Sequence, residues 1–220
     1  WHFIDQLDSI SILVPKNSVE GIKILTRTLI ETSFYIEYLL EKDLKKRAFS
    51  FRHVSMQEQL VTLERLDPLT NKGERLSDDI ANTKIGDSSI SDFRDRDLAE
   101  VRDQINGLQE IINSESERLY RDEFDSLNGQ KKWYAMFNEK RPKRISDLAS
   151  YLNLDLIYSL HYRFLSRSIH ATDVVSDNIK VDEETGTLHI VQLRSGKMLE
   201  GVIFTILNTV HRVFKSYIYK

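Results

Sequence analysis

Tyr162, Arg163, Ser166, Arg167 and His170 lie close together near the end of an otherwise apolar stretch. On an α-helix, with about 100° of turn per residue, Arg163 and His170 project within roughly 20° of each other and about 10 Å apart along the axis. Arg167 stands between them, and Tyr162, Ser166 and His170 follow one another at intervals of one turn. A guanidinium, a hydroxyl and an imidazole on one helical edge can handle a phosphate or a carboxylate. In that chemistry a neutral His170 takes up a proton as general base or gives one as general acid. Arg163 holds the phosphate and stabilises the charge that develops in the transition state. Arg167 adds a second cationic contact, and Ser166 orients the imidazole. The same residues can instead close a buried polar network, with Tyr162, Ser166 and His170 joined to Arg27 and Glu31, that locks two helices in register and does no chemistry. On these residues alone both readings stand open.

The elements that would position them are helical. With eight glycines and three prolines in 220 residues, the chain has too little punctuation for a many-turned β fold. Residues 1–17 read as an irregular lead-in ending at Pro15. Asn17 or Ser18 then caps a helix running to about Lys46, on which Arg27 and Glu31 stand one turn apart and can pair. A second helix is expected from Ala48 to Leu66, ended by Asp67-Pro68. Residues 69–91 are polar and weakly patterned and read as a mobile loop. Asp92 to Ser126 returns to helical spacing, with its many charges read as a solvated face of an exposed arm. Short helices follow from Ser146 to Leu152 and from Asp155 to His170. Alternating Ile179–Val181 and Leu188–Val191 around Glu184-Thr185-Gly186 predict a β-hairpin over 179–193. A last amphipathic helix runs from about Lys197 to Tyr217. This describes an all-α fold of five or six helices with a small β-hairpin before the last one, a single helical domain over 18–220.

Composition removes several function classes. There is no cysteine, so disulfides and thiolate metal sites are excluded. No metal or cofactor is called for, since the histidines lack metal-ligand spacing and no glycine-rich phosphate loop occurs. A formal net charge of -3 argues against a general polyanion binder. The one basic concentration, Lys131-Lys132-Trp133-Tyr134 with Lys140-Arg141-Pro142-Lys143-Arg144, is either a nucleic-acid strand contact or, more commonly for such a pattern, a loop of snorkelling lysines around a core Trp. No apolar run approaches the roughly 18 residues of a membrane span, so no membrane partner and a cytoplasmic location are expected. The sequence opens on Trp1 rather than Met, as if its natural start lay upstream.

An early Arg-x-x-x-Glu (Arg27, Glu31), a mid-chain Trp133 and a later Tyr-x-x-x-Ser-x-x-x-His (Tyr162, Ser166, His170) occur in an order that resembles a family of uncharacterised, mostly bacterial helical proteins defined as a domain of unknown function. The resemblance spans most of residues 18–175. It implies an all-helical fold in which the Arg27 helix packs beside the His170 helix. More loosely, Arg163 and His170 with six residues between them resemble the Arg-to-His motif of the HEPN superfamily of helical bundles, with a departure at Phe164, where a polar residue is usual. That resemblance implies a HEPN-like bundle acting as a metal-independent endoribonuclease of a bacterial defence or toxin–antitoxin type. Its implied partners are RNA, a second copy of the chain in a homodimer, and an antitoxin or other protein. Here His170 and Arg163 would be catalytic, with Arg167, Ser166, Tyr162, Arg27 and Glu31 in support. The alternative is a non-catalytic helical ligand-binding or scaffold protein. The charged helices and the apolar last helix also suit a homodimer on their own account.

Overall fold

The computed structural model describes residues 2–82, 98–129, 131–169, 179–182, 185–190 and 199–219. Its secondary structure is of the all-α class, helical but for one short ladder. The contacts divide the chain, read from sequence as one domain, into two compact units: residues 1–44 with 144–220, and residues 45–143.

The first unit is built on α2 (Val19–Glu41), whose Ile22, Leu29, Ile30 and Phe34 are completely buried. Helical spacing of large apolar residues accounts for this long buried face. On α2 pack, among others, α1 (His2–Leu13), α9 (Arg163–Ile169) and α10 (Leu199–Ile218). Between them in sequence come α7 (Ile145–Tyr151) and α8 (Asp155–Ile157). The chain runs from α8 to α9 through a π-helical turn, Tyr158–Tyr162. Tyr151 meets Tyr38 of α2 edge-on at 5.6 Å between ring centroids. β1 (Ile179–Val181) pairs antiparallel with β2 (Leu188–Ile190), Ile179 opposite Ile190 and Val181 opposite Leu188.

The second unit holds α3 (Leu44–Leu66), α4 (Asn71–Asn82), α5 (Leu98–Asn113) and α6 (Arg118–Ser126). Its core is aromatic. Trp133 stands edge-on to Phe51 at 5.4 Å, Tyr120 stacks on Phe49 at 5.6 Å, and Phe137 meets Tyr120 at 5.7 Å. These contacts give residues 45–143 a core of their own.

Four expectations are corrected. The lead-in over 1–17 is α1 followed by a 3₁₀ turn, Val14–Lys16. Phe3 and Ile10 recur on one helical face and are buried with Gln6, and Pro15 sits at the start of the 3₁₀ turn, where its missing N–H costs nothing. The loop over 69–91 is α4 up to Asn82, and residues 83–91 lie outside the described ones. Thr70 starts α4: its hydroxyl accepts the Gly73 N–H at 3.0 Å, and its carbonyl accepts the Glu74 N–H at 2.9 Å. Only glycine fits at 73, because a Cβ there would run into the Asp67 carbonyl. The arm read over 92–126 is broken, α5 ending at Asn113 and α6 starting at Arg118 after a 3₁₀ turn, Glu115–Glu117. The first long helix ends at Glu41 rather than near Lys46, where Asp43 takes a left-handed backbone at φ 48° that short polar side chains tolerate.

Candidate functional site: a polar cluster between α2 and α9

On α2, Arg27, Glu31 and Tyr35 follow at one-turn intervals and form a polar stripe. Tyr162, last residue of the π-helical turn, and Ser166 of α9 form a matching stripe. The two stripes interlock. Arg27 Nη2 donates to the Tyr162 hydroxyl at 2.6 Å and Arg27 Nε to Ser166 Oγ at 3.1 Å. The Tyr162 hydroxyl donates in turn to Glu31 Oε2 at 3.1 Å, and Tyr35 donates to Glu31 Oε1 at 2.8 Å. The Arg27 guanidinium also lies over the Tyr162 ring, 4.7 Å from its centroid, and the Tyr158 ring stacks with that of Tyr162 at 5.2 Å between centroids.

Electrostatics fix the protonation. Burial, then the neighbouring Glu31 carboxylate, push the Tyr162 hydroxyl up to about 12, so it is a neutral donor at any physiological pH. The cluster is not sealed: the Arg27 and Glu31 side chains keep 25% and 27% of their surface exposed. The Arg27 guanidinium and the Ser166 hydroxyl are thus held at an edge that a solute can reach, while the buried Tyr162 hydroxyl is committed to Glu31. Such a set can bind an anion, with charge-assisted hydrogen bonds from the arginine and a neutral one from Ser166.

The structure therefore brings together four of the residues singled out from sequence: Arg27, Glu31, Tyr162 and Ser166. Arg163 is exposed and does not join them, as expected one position on from a buried Tyr162. Arg167 belongs to α9, and its side chain is not described; His170 lies outside the described residues. In the basic, aromatic run at 131–144 the two rings are core: Trp133 and Tyr134 are buried, Lys131 pairs with Asp125 at 3.1 Å, and Lys140, Arg141, Lys143 and Arg144 are exposed. Stacking of bases on those two rings has no surface to use.

Sequence reasoning passed over three polar groupings. Arg212 of α10 reaches α2, donating to Glu37 at 2.5 Å and to Ser33 Oγ at 2.7 Å. Burial raises the Glu37 pKa in spite of that arginine. The signal was Arg212 itself, a charge in an apolar helix. His161 meets Thr205 at 2.9 Å; since Thr205 also donates to the Gly201 carbonyl at 2.9 Å, His161 Nδ1 carries the proton. Burial, then Arg212, lower the His161 pKa, so the ring is neutral. A cavity of about 200 Å³ opens beside it, lined by His161, Phe164, Leu165, Gly201, Val202 and Thr205. In the second unit, Glu117 accepts hydrogen bonds from His53 Nδ1 at 2.9 Å and from Arg52. Its side chain and that of His53 are 1% and 0% exposed, although Glu117 sits among charges that read as solvated.

Among the described residues no group of three or more His, Cys, Asp or Glu side chains could hold a metal ion. No helix among them is long and apolar enough to cross a membrane.

Comparison with known proteins gives one match. The model of a family of unknown function, DUF5677, matches residues 2–187, and the chain belongs to that family. Neither a curated protein nor a solved structure matches it.

Proposed function

We propose that this member of the DUF5677 family handles a phosphate-bearing substrate at the Arg27–Tyr162–Ser166 edge, and that it is a HEPN-like metal-independent endoribonuclease of a bacterial defence or toxin–antitoxin type. The observation that carries the reading is a guanidinium one-quarter exposed and aligned by two hydroxyls on the helical stripe that the sequence continues, one turn after Ser166, with His170. Arg27 then takes the phosphate-holding role that sequence spacing gave to Arg163, because Arg27 stands on the stripe and Arg163 does not. Tyr162 and Glu31 act as positioning residues: they fix the guanidinium plane, Tyr162 as a neutral donor. His170 serves as the proton-transfer group at the 2′-hydroxyl or at the leaving oxygen. The proposed architecture is a HEPN-like bundle with the 179–193 hairpin inserted before the last helix.

A second reading has its own support. The Glu31 carboxylate and the Tyr162 hydroxyl are satisfied within the cluster, as befits a lock between two helices in a non-catalytic binding or scaffold protein. One experiment separates the two. Purified protein is incubated with structured and single-stranded RNA in the presence of a chelator, beside a His170→Ala variant. The enzyme reading expects cleavage by wild type, a loss of about 10²–10⁴ in the variant, and an unchanged melting temperature. The scaffold reading expects no cleavage by either protein and a lower melting temperature for the variant.

A further inference from the structure

The outer face of the first unit is apolar to an unusual degree. On α10, Phe204, Leu207, Phe214 and Ile218 are 63%, 62%, 49% and 68% exposed. At about 100° per residue these four lie within roughly 80° of one another, opposite the face that packs on α2. Along the run from α8 to α9, Leu156, Leu160 and Phe164 are 70%, 59% and 45% exposed. The cavity beside His161 lies between these two ridges, with Phe164 on one wall and Gly201 on the other. At on the order of 100 Å² each, the seven side chains present about 700 Å². That exceeds the usual largest apolar patch of a monomer, about 300–600 Å². It matches what one partner of a standard interface buries, about 800 Å².

We propose that this face is a homodimer interface in which α10 packs antiparallel on α10 of a second copy about a two-fold axis. Charge and area together choose that occupant. Glu200 stands at the amino end of the apolar stripe and Lys215 near its carboxyl end, and both are exposed. Antiparallel pairing that sets Glu200 against Lys215 of the mate makes two ion pairs, one at each end. In the same register Phe204 faces His211, and Leu207 packs beside the axis near Leu207 of the mate. An apolar stripe with opposite charges at its two ends is complementary to itself, as an isologous interface must be. This interface does not depend on the RNA reading.

The test uses the full chain. Analytical ultracentrifugation at tens of micromolar should give a dimer for wild type and a monomer for Phe214→Glu, with the helical circular dichroism and melting of the protomer retained. Because the chain has no cysteine, the single variants Glu200→Cys and Lys215→Cys give a clean register test. The two positions are about 22 Å apart along one helix, so in an antiparallel dimer oxidation should cross-link a mixture of the two single variants and neither variant alone, whereas a parallel dimer would link each single variant to itself. Should Phe214→Glu fail to fold, Glu200→Lys should weaken the dimer at least tenfold, and Glu200→Lys with Lys215→Glu should restore it. A monomeric wild type, a dimer indifferent to Phe214→Glu, a mixture of the two cysteine variants that does not cross-link, or a single one that does, overturns the proposal.

Discussion

Each unit holds a carboxylate with hydrogen bonds from neighbouring side chains, and the two carboxylates differ in exposure. In the second unit Glu117 and the neutral His53 are sealed, with Phe124 edge-on to the imidazole at 5.6 Å, and the half-exposed Arg52 also binds Glu117. In the first unit Arg27 and Glu31 are braced by Tyr162, Ser166 and Tyr35 but stay about a quarter exposed. A sealed pair can only hold elements together, because any solute would have to displace packed side chains. A braced pair at an edge can do the same and still meet a solute. The contrast separates a lock from a site by accessibility, not by residue type.

The largest stability change should come from the sealed pair. Glu117→Ala leaves the buried His53 without its acceptor and the half-exposed Arg52 without its ion partner, and should destabilise the protein by about 2–3 kcal/mol, read as a drop in the denaturation midpoint. The braced pair should be more tolerant: Tyr162→Phe removes one acceptor and one donor and should cost about 1–2 kcal/mol by the same measurement. Equal losses for the two variants would erase the distinction. pH divides them further. Burial lowers the His53 pKa, with Arg121 and Arg52 adding to it and Asp125 opposing. The unfolded chain therefore takes up a proton at His53 more readily than the folded one, and the stability this neutral imidazole gives is present above about pH 6.5 and is lost as the pH falls through its lowered value. Melting temperature measured from pH 7.5 down to 5 should fall, and less steeply in His53→Gln. Tyr162 has the opposite sense. With its pKa raised to about 12, its stability term is full below about pH 10 and is lost as the pH rises toward 12, so alkaline titration of Tyr162→Phe should show a shallower loss. The smallest effect belongs to the surface pair Arg118 and Glu115, 62% and 83% exposed: Glu115→Ala should shift stability by less than about 0.5 kcal/mol.

How far this was legible in the sequence follows the same division. The Arg27–Glu31 and Tyr162–Ser166 stripes were readable because each is a local one-turn repeat on a helix, and their meeting followed once both helices were drawn. The long α2 and α10 were readable from their apolar period. Glu117 was not: it sits in a charged stretch where each neighbour is solvated, and only contacts 64 and 65 positions away make it different. α1 was obscured by Pro15, which signals a break but does not say that a helix precedes it. α4 was obscured by its polar composition, although Thr70 carried a cap signal. The division into two units was invisible because the aromatic core of residues 45–143 is assembled from rings far apart in sequence. That Arg27, and not Arg163, contacts Tyr162 and Ser166 has the same cause: periodicity finds neighbours on one helix, and the second helix decides which of them it meets.

The most direct test of the site is single-turnover cleavage of a labelled RNA, in chelator, by wild type and by Arg27→Lys, with melting temperature followed alongside. Lysine keeps the charge but loses the planar donors that Tyr162 and Ser166 align. Cleavage by wild type that falls at least tenfold in Arg27→Lys, with the variant still folded at the assay temperature, is the predicted result. Cleavage that is unaffected by Arg27→Lys, or absent from wild type, would contradict a phosphate-handling role and leave the cluster as a second lock like the one around Glu117.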